Sequence, residues 1–193
     1  MLDIKNKAVL AYVIGVAIGD GNLSNPNGRA VRLRITCDKK YPQLIAKIIK
    51  NIQILAPFNK VSIIKRINDN AVDISCYSND WESILGWLAI GGSKMKQKIK
   101  IPKWILRKKL YCKTCICGLI ETDGSIYNDR EYITVNFVTQ IPSLVSAVKY
   151  MINALGYTAS IQTLMLPNKN KKFTFRIHKN AKKFIEDVGI LKK

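Results

Sequence analysis

Acidic residues are scarce in this sequence. Thirteen Asp and Glu stand against 32 Lys and Arg in 193 residues, leaving a net charge of +19 with the single histidine neutral. That excess is far beyond what solubility requires. It is the electrostatic footprint of a phosphate-rich partner, and nucleic acid is the first candidate. Long apolar runs are missing too: none reaches the roughly 18 residues of a membrane-spanning helix, so no membrane partner is expected. No Ser or Cys nucleophile paired with a His base is evident, because the lone His178 falls in a strand-like run. Cysteine is limited to five residues. Cys112-x2-Cys115-x-Cys117 lacks a second pair at comparable spacing, with only Cys37, Cys76 and His178 elsewhere, and reads as apolar packing instead of a zinc site. Lys5 and Lys7 before the apolar run Ala8–Ile18 imitate a secretory signal. That run ends in Gly-Asp-Gly, not at a small-residue cleavage site, so the chain is read as intracellular with reduced thiols.

What the sequence does contain is one pattern written twice. YVIGVAIGDG (12–21) and CICGLIETDG (115–124) are apolar helical runs that both end in Asp-Gly. Asp20 is followed seventeen residues later by Cys37 in RITCDKK, and Asp123 at the same interval by Gln140 in NFVTQIP. Helical stripes come next at 41–55 and 141–155, each with Pro at its second position; Leu44, Ile45, Ile48 and Ile49 match Leu144, Val145, Val148 and Lys149 in phase. Strand-like runs follow at 61–68 and 71–78, then at 159–166 and 172–179, and a final helix closes each half at 80–90 and 180–191. The expected order is α-β-β-α-β-β-α per half. Residues 1–92 form the first half and 110–193 the second, joined by a basic linker (93–109) with eight basic residues and no acid. Trp104 and Leu106 indicate that this linker is packed down.

Within the strands apolar and polar residues alternate, as on a sheet with one buried face. Val31, Leu33 and Ile35 oppose Arg32, Arg34 and Thr36, while Phe173, Phe175 and Ile177 oppose Lys172, Thr174, Arg176 and His178. ITVNFVTQ breaks the alternation at Phe137–Val138, where a β-bulge is expected. The candidate nucleic-acid contacts are Arg32, Arg34, Thr36, Arg66, Asn68, Tyr127, Thr134, Asn136, Gln162, Lys172, Thr174, Arg176 and His178. These are side-chain types that reach phosphates and base edges.

Gly15-x3-Gly19 and Gly118-x3-Thr122 set small residues one turn apart, which lets two helix backbones approach closely. Packed on each other, the repeated helices place Asp20 and Asp123 side by side at the negative ends of two helix dipoles. That arrangement is unfavourable unless a cation lies between the carboxylates. A hard divalent ion with oxygen ligands fits, Mg²⁺ first, with the last-turn carbonyls of Gly19 and Thr122 free to help.

The nonapeptides VIGVAIGDG (13–21) and ICGLIETDG (116–124) resemble the motif of the LAGLIDADG homing endonucleases, and the later elements resemble its single-chain, two-motif form over nearly the whole chain. The resemblance implies an α+β fold of duplicated αββαββα halves, with two saddle-shaped antiparallel sheets around a two-helix interface. It implies a monomeric, site-specific endonuclease that makes a metal-dependent double-strand break in a long double-stranded DNA target. It also implies two or three divalent ions at the helix ends, Mg²⁺ with Mn²⁺ as substitute. By position in the motif, Asp20 and Asp123 are the metal ligands and Gly19 and Thr122 contribute carbonyls. Gln140 matches a solvent-ordering polar residue, and Lys96 in KMKQK is the best match to a lysine near the scissile phosphate. In the first half the counterpart of Gln140 is left open between Cys37, Asp38 and Lys39. The alternative is an RNA-splicing maturase or DNA-binding regulator without nuclease activity, with the host intron RNA as a further partner. Either reading places the chain with nucleic acid, in a prokaryotic cytoplasm, an organelle or a nucleus.

Overall fold

The computed structural model describes residues 2–67, 69–129 and 131–192. The first half runs α1 (Lys7–Asp20), β1 (Gly21–Ser24), β2 (Arg32–Asp38), α2 (Pro42–Leu55), β3 (Val61–Lys65), β4 (Ala71–Tyr77) and α3 (Trp81–Leu85). The second repeats the order as α4 (Lys109–Asp123), β5 (Gly124–Asp129), β6 (Tyr132–Thr139), α5 (Pro142–Ala154), β7 (Ser160–Met165), β8 (Lys171–Ile177) and α6 (Ala181–Val188). Each half folds its strands into one four-stranded antiparallel sheet, ordered β1-β2-β4-β3 and β5-β6-β8-β7.

Local chemistry sets the element ends. The Asn6 side chain caps α1 by accepting from the Val9 amide at 3.2 Å. Pro42 and Pro142 open α2 and α5, where a missing N–H costs nothing. The closing helices stop at Gly86 and Gly189, whose φ values of 81° and 78° lie in the left-handed region that favours glycine. This makes α3 only five residues long, well short of the helix expected over 80–90.

The core is continuous across both halves. Leu33, Ile35, Ile74 and Cys76 pack under the first sheet, Val135, Phe137, Phe175 and Ile177 under the second, and the two motif helices lie between them. The helices touch backbone to backbone. A Cβ added at Gly15 would lie 2.2 Å from the Cys115 carbonyl oxygen, and one at Gly118 2.5 Å from that of Tyr12. Cys112, Cys115 and Cys117 are all buried on α4. In the linker Ile99, Ile101 and Ile105 are buried, and Trp104 stacks edge-on against Tyr111 with ring centroids 5.5 Å apart.

The expected bulge at Phe137–Val138 is not there. Phe137 pairs with both Gly124 and Phe175, Val138 pairs with Thr174, and the ladder runs through without an extra residue. Val138 is an apolar side chain on the polar face, which breaks the sequence alternation without breaking the register. Among the described residues no helix is long and apolar enough to cross a membrane.

Candidate active site and nucleic-acid face

The close approach of α1 and α4 continues to their C-terminal ends. A Cβ on Gly19 would lie 2.0 Å from the Thr122 hydroxyl and 3.5 Å from the Asp123 carboxyl carbon. The two motif carboxylates therefore sit together at the foot of the helix pair. Burial, and then the neighbouring Asp20, pushes the Asp123 carboxyl up to about 6. Burial raises Asp20 as well, against the pull of Lys192 and Lys94.

Two lysines neutralise this foot. Lys94 donates from Nζ to the Ile18 carbonyl at 2.7 Å and to that of Gly19. Lys192 donates to the Thr122 and Gly124 carbonyls, both at 2.7 Å. The ammonium groups thus hold the last-turn carbonyls of both helices, including the two expected to face a metal. Burial lowers Lys94 to about 8 despite Asp123 and Asp20 nearby, and it lowers Lys192 as well. Lys96 does not take this position. It is exposed, its amide tied to the Ser93 hydroxyl in the turn that sends Lys94 inward. A lysine here could be read from the basic run, but which one depends on that turn. Lys192 lay in a segment whose course no periodicity marks.

Strand register settles the counterpart of Gln140. Gly21 pairs with Ile35 and Gly124 with Phe137, so the first hairpin is one residue longer than the second. Ile35 and Phe137 are then equivalent, Cys37 matches Thr139, and Asp38 matches Gln140. Equal spacing from the carboxylates had instead aligned Cys37 with Gln140. Asp38, Cys37, Asp20, Thr122, Glu121 and Lys192 line one cleft of about 180 Å³. Lys39 turns away, its Nζ donating to the carbonyls of Arg66 and Asp69 at 3.3 and 2.6 Å. The Lys40 amide, with its ammonium, holds Asp38 below the usual carboxylate range. Burial, and then Asp20, pushes the Cys37 thiol up to about 12, so it is a protonated wall of the cleft. Gln140 is exposed just past β6.

The candidate nucleic-acid residues share the sheet faces turned away from the core. Arg32, Arg34 and Thr36 alternate with buried Leu33 and Ile35 on β2, and Lys172, Thr174, Arg176 and His178 follow the same face of β8. Tyr127 and Asn136 are joined by a 3.0 Å hydrogen bond, and Gln162 pairs with Thr174. Arg66 forks onto the Asp73 carboxylate at 2.8 and 2.9 Å, and Asp73 also accepts from Thr36 at 2.7 Å. Thr134 is on this face but only 2% exposed, so its hydroxyl is not presented to a partner. Asn68 lies outside the described residues.

Two αββαββα halves, joined through small-residue helices that end in neighbouring carboxylates, define the two-motif LAGLIDADG fold. Residues 113–189 match the family described as the LAGLIDADG-like domain, and the first half repeats the element order and sheet topology of the second. I-DmoI solved in complex with DNA and Mn shares 19% identity over 94% of this chain and 96% of its own, with a TM-score of 0.65. I-DmoI is a homing endonuclease, solved also with DNA and Ca. The N-terminal LAGLIDADG domain of DUF199/WhiA matches 95% of this chain and 83% of its own at 15% identity, with a TM-score of 0.62. No curated protein sequence matches the chain.

Proposed function

We propose that the protein is a site-specific DNA endonuclease that cuts both strands of a long duplex with the help of divalent metal ions. The carrying observation is the pairing of Asp20 and Asp123 at the touching ends of α1 and α4, each beside an ammonium group. The division into halves at 1–92 and 110–193, with the basic stretch between them, and action as a monomer belong to the same reading. The bound state of I-DmoI with DNA supports a DNA partner, and the +19 charge supports it independently.

The residues present fit a divalent cation. Asp20 and Asp123 are hard oxygen donors whose mutual repulsion and burial a cation would relieve, with Mg²⁺ first and Mn²⁺ as substitute. The Gly19 and Thr122 carbonyls would join them once Lys94 and Lys192 swing off. Such ions would lower the pKa of bound water and neutralise charge on the phosphoryl oxygens. The ammonium groups so released would be available to stabilise the negative charge that grows on a scissile phosphate. Lys94, which burial lowers to about 8 in its resting place, would regain its full ammonium character on release, because the burial is relieved and a phosphate lies opposite. Asp38 and Gln140, at equivalent hairpin ends, are the polar side chains that would order solvent at such a site. The outward sheet faces seat the duplex on either side.

A second reading rests on the lysines themselves. The foot of the helix pair is already neutralised by Lys94 and Lys192, which suits a protein that binds DNA or its host intron RNA without cutting. Incubation of the protein with a library of long duplexes and Mg²⁺ separates the two. Double-strand cuts at one sequence, lost in Asp20→Asn, are expected; binding without cutting under Mg²⁺ or Mn²⁺ would leave the second reading.

A further inference from the structure

Glu121 occupies the sixth place of the second motif, where the first has Ile18. Its side chain is fully buried, and both oxygens are used. Oε2 accepts from the Tyr12 hydroxyl at 2.8 Å; Oε1 accepts from Lys47 Nζ and from the Leu191 amide, each at 2.8 Å. Lys47 spends its other protons on the Gly189 carbonyl at 3.0 Å and the Cys117 sulfur at 3.2 Å, and its ammonium lies 4.9 Å from the Tyr12 ring centroid. Tyr12 and Lys47 come from the first half, Glu121 and the segment after α6 from the second.

A buried, paired carboxylate is weak grounds for stability, because desolvation offsets most of the attraction. It is strong grounds for geometry. The network grips the chain at Gly189 and Leu191, and the next residue is Lys192, whose Nζ reaches the Thr122 and Gly124 carbonyls. Lys94 is held within its own half: a backbone turn with Gln97 N on Ser93 O and Ile99 N on Lys94 O, braced by the Gln97 side chain on Leu88 and Gly92, precedes buried Ile99.

We propose that Glu121 is a positioning residue which, with Lys47 and Tyr12 of the first half, delivers Lys192 to the second motif's helix end. This rests on the endonuclease reading for its effect on cleavage but not for its effect on Lys192 itself. Losing the charge-assisted bond to Leu191 should loosen the segment by about one order of magnitude in its opening equilibrium.

The first measurement is amine acylation of the intact protein, read by mass spectrometry at Lys192 relative to exposed Lys40. Glu121→Gln should raise the Lys192 rate about 10-fold, and Leu191→Pro, which deletes the amide donor without touching the helix pair, should do the same. An unchanged rate in a folded Leu191→Pro protein overturns the proposal, whatever becomes of Glu121→Gln. The second measurement is nicking of each strand of a cleavable duplex. Glu121→Gln and Lys192→Met should slow the same strand, and the double variant should be no slower than Lys192→Met alone. Equal slowing of both strands, or full additivity, overturns it. Wild-type protein that nicks neither strand rejects the endonuclease reading, while the acylation result still decides the latch.

Discussion

Arg34 on β2 and Asn136 on β6 are equivalent positions of the two sheets, and each keeps a buried polar atom without a hydrogen-bond partner. The atoms are Arg34 Nε and Asn136 Oδ1. The equivalence follows from register, since Arg34 precedes Ile35 as Asn136 precedes Phe137. Unpaired buried polar atoms are costly, and here both lie on the faces turned from the core. Bases are the natural partners: Arg forks onto guanine and Asn onto adenine. Arg34→Ala and Asn136→Ala should each weaken binding to the cognate duplex by roughly 1–3 kcal/mol and relax selectivity at one base pair. Competition gel shifts with single-base-pair variants check this. A loss that is uniform across sequences would assign Arg34 to phosphate instead.

Neutralising either motif carboxylate should stop chemistry and spare affinity. Asp20→Asn and Asp123→Asn are each expected to reduce cleavage about 100-fold or more. DNA affinity should hold or rise, because a negative charge facing phosphate disappears. Gel shift and cleavage on one duplex, side by side, give both numbers. Ordinary double-strand cutting by either variant would make the Asp-Gly pair a turn and move the site elsewhere.

The raised Asp123 carboxyl has a defined pH signature in metal-free protein. Its folded value of about 6 exceeds the ordinary 3.8, so the folded state binds the proton more tightly. The stabilising contribution of that protonation is absent above about 6 and grows as pH falls from 6 towards 3.8. Wild type should therefore gain on Asp123→Asn in thermal scans between pH 7 and pH 5. At pH 7, Mg²⁺ should raise the melting temperature of wild type, and less so at pH 5, where the proton competes for the oxygen. Chelation should leave the fold intact, since Lys94 and Lys192 already cover the helix ends.

Gly118→Ala tests the helix contact. Its methyl would meet the Tyr12 carbonyl oxygen at 2.5 Å and the Val16 amide nitrogen at 2.7 Å, both backbone atoms that cannot rotate away. Overpacking of this kind costs roughly 1–3 kcal/mol, which in a chain of this size lowers the melting temperature by about 3–10 °C. Calorimetry of the variant reads it directly. An unchanged melting temperature would mean that the helices separate easily at this point.

Most of the architecture was legible in the sequence because it rests on periodicity. Ile48 and Val148 report a helix stripe, Leu33 and Phe175 a strand face, and each lies in the core as its spacing requires. The carboxylates were legible because two copies of one motif mark the same place. Register was not: equal intervals aligned Cys37 with Gln140, while one extra residue in the first hairpin shifts the match to Asp38. The choice between Lys94 and Lys96 hangs on a single turn beginning at Ser93, and side-chain type cannot encode it. Glu121 is a single acid within an apolar helical run, and nothing near it in sequence indicates a partner. Its partners Lys47 and Leu191 are distant in sequence and meet only on folding.

That extra residue in the first hairpin also gives the molecule a direction. Two identical subunits would show a duplex the same features twice and suit an inverted repeat. Here the shifted register sets Arg34 on one outward face where the other carries Asn136, so the two flanks are chemically unlike. A duplex seated on such a surface fits one way round. Swapping the left and right arms of a preferred site should therefore abolish recognition although every base pair is still present.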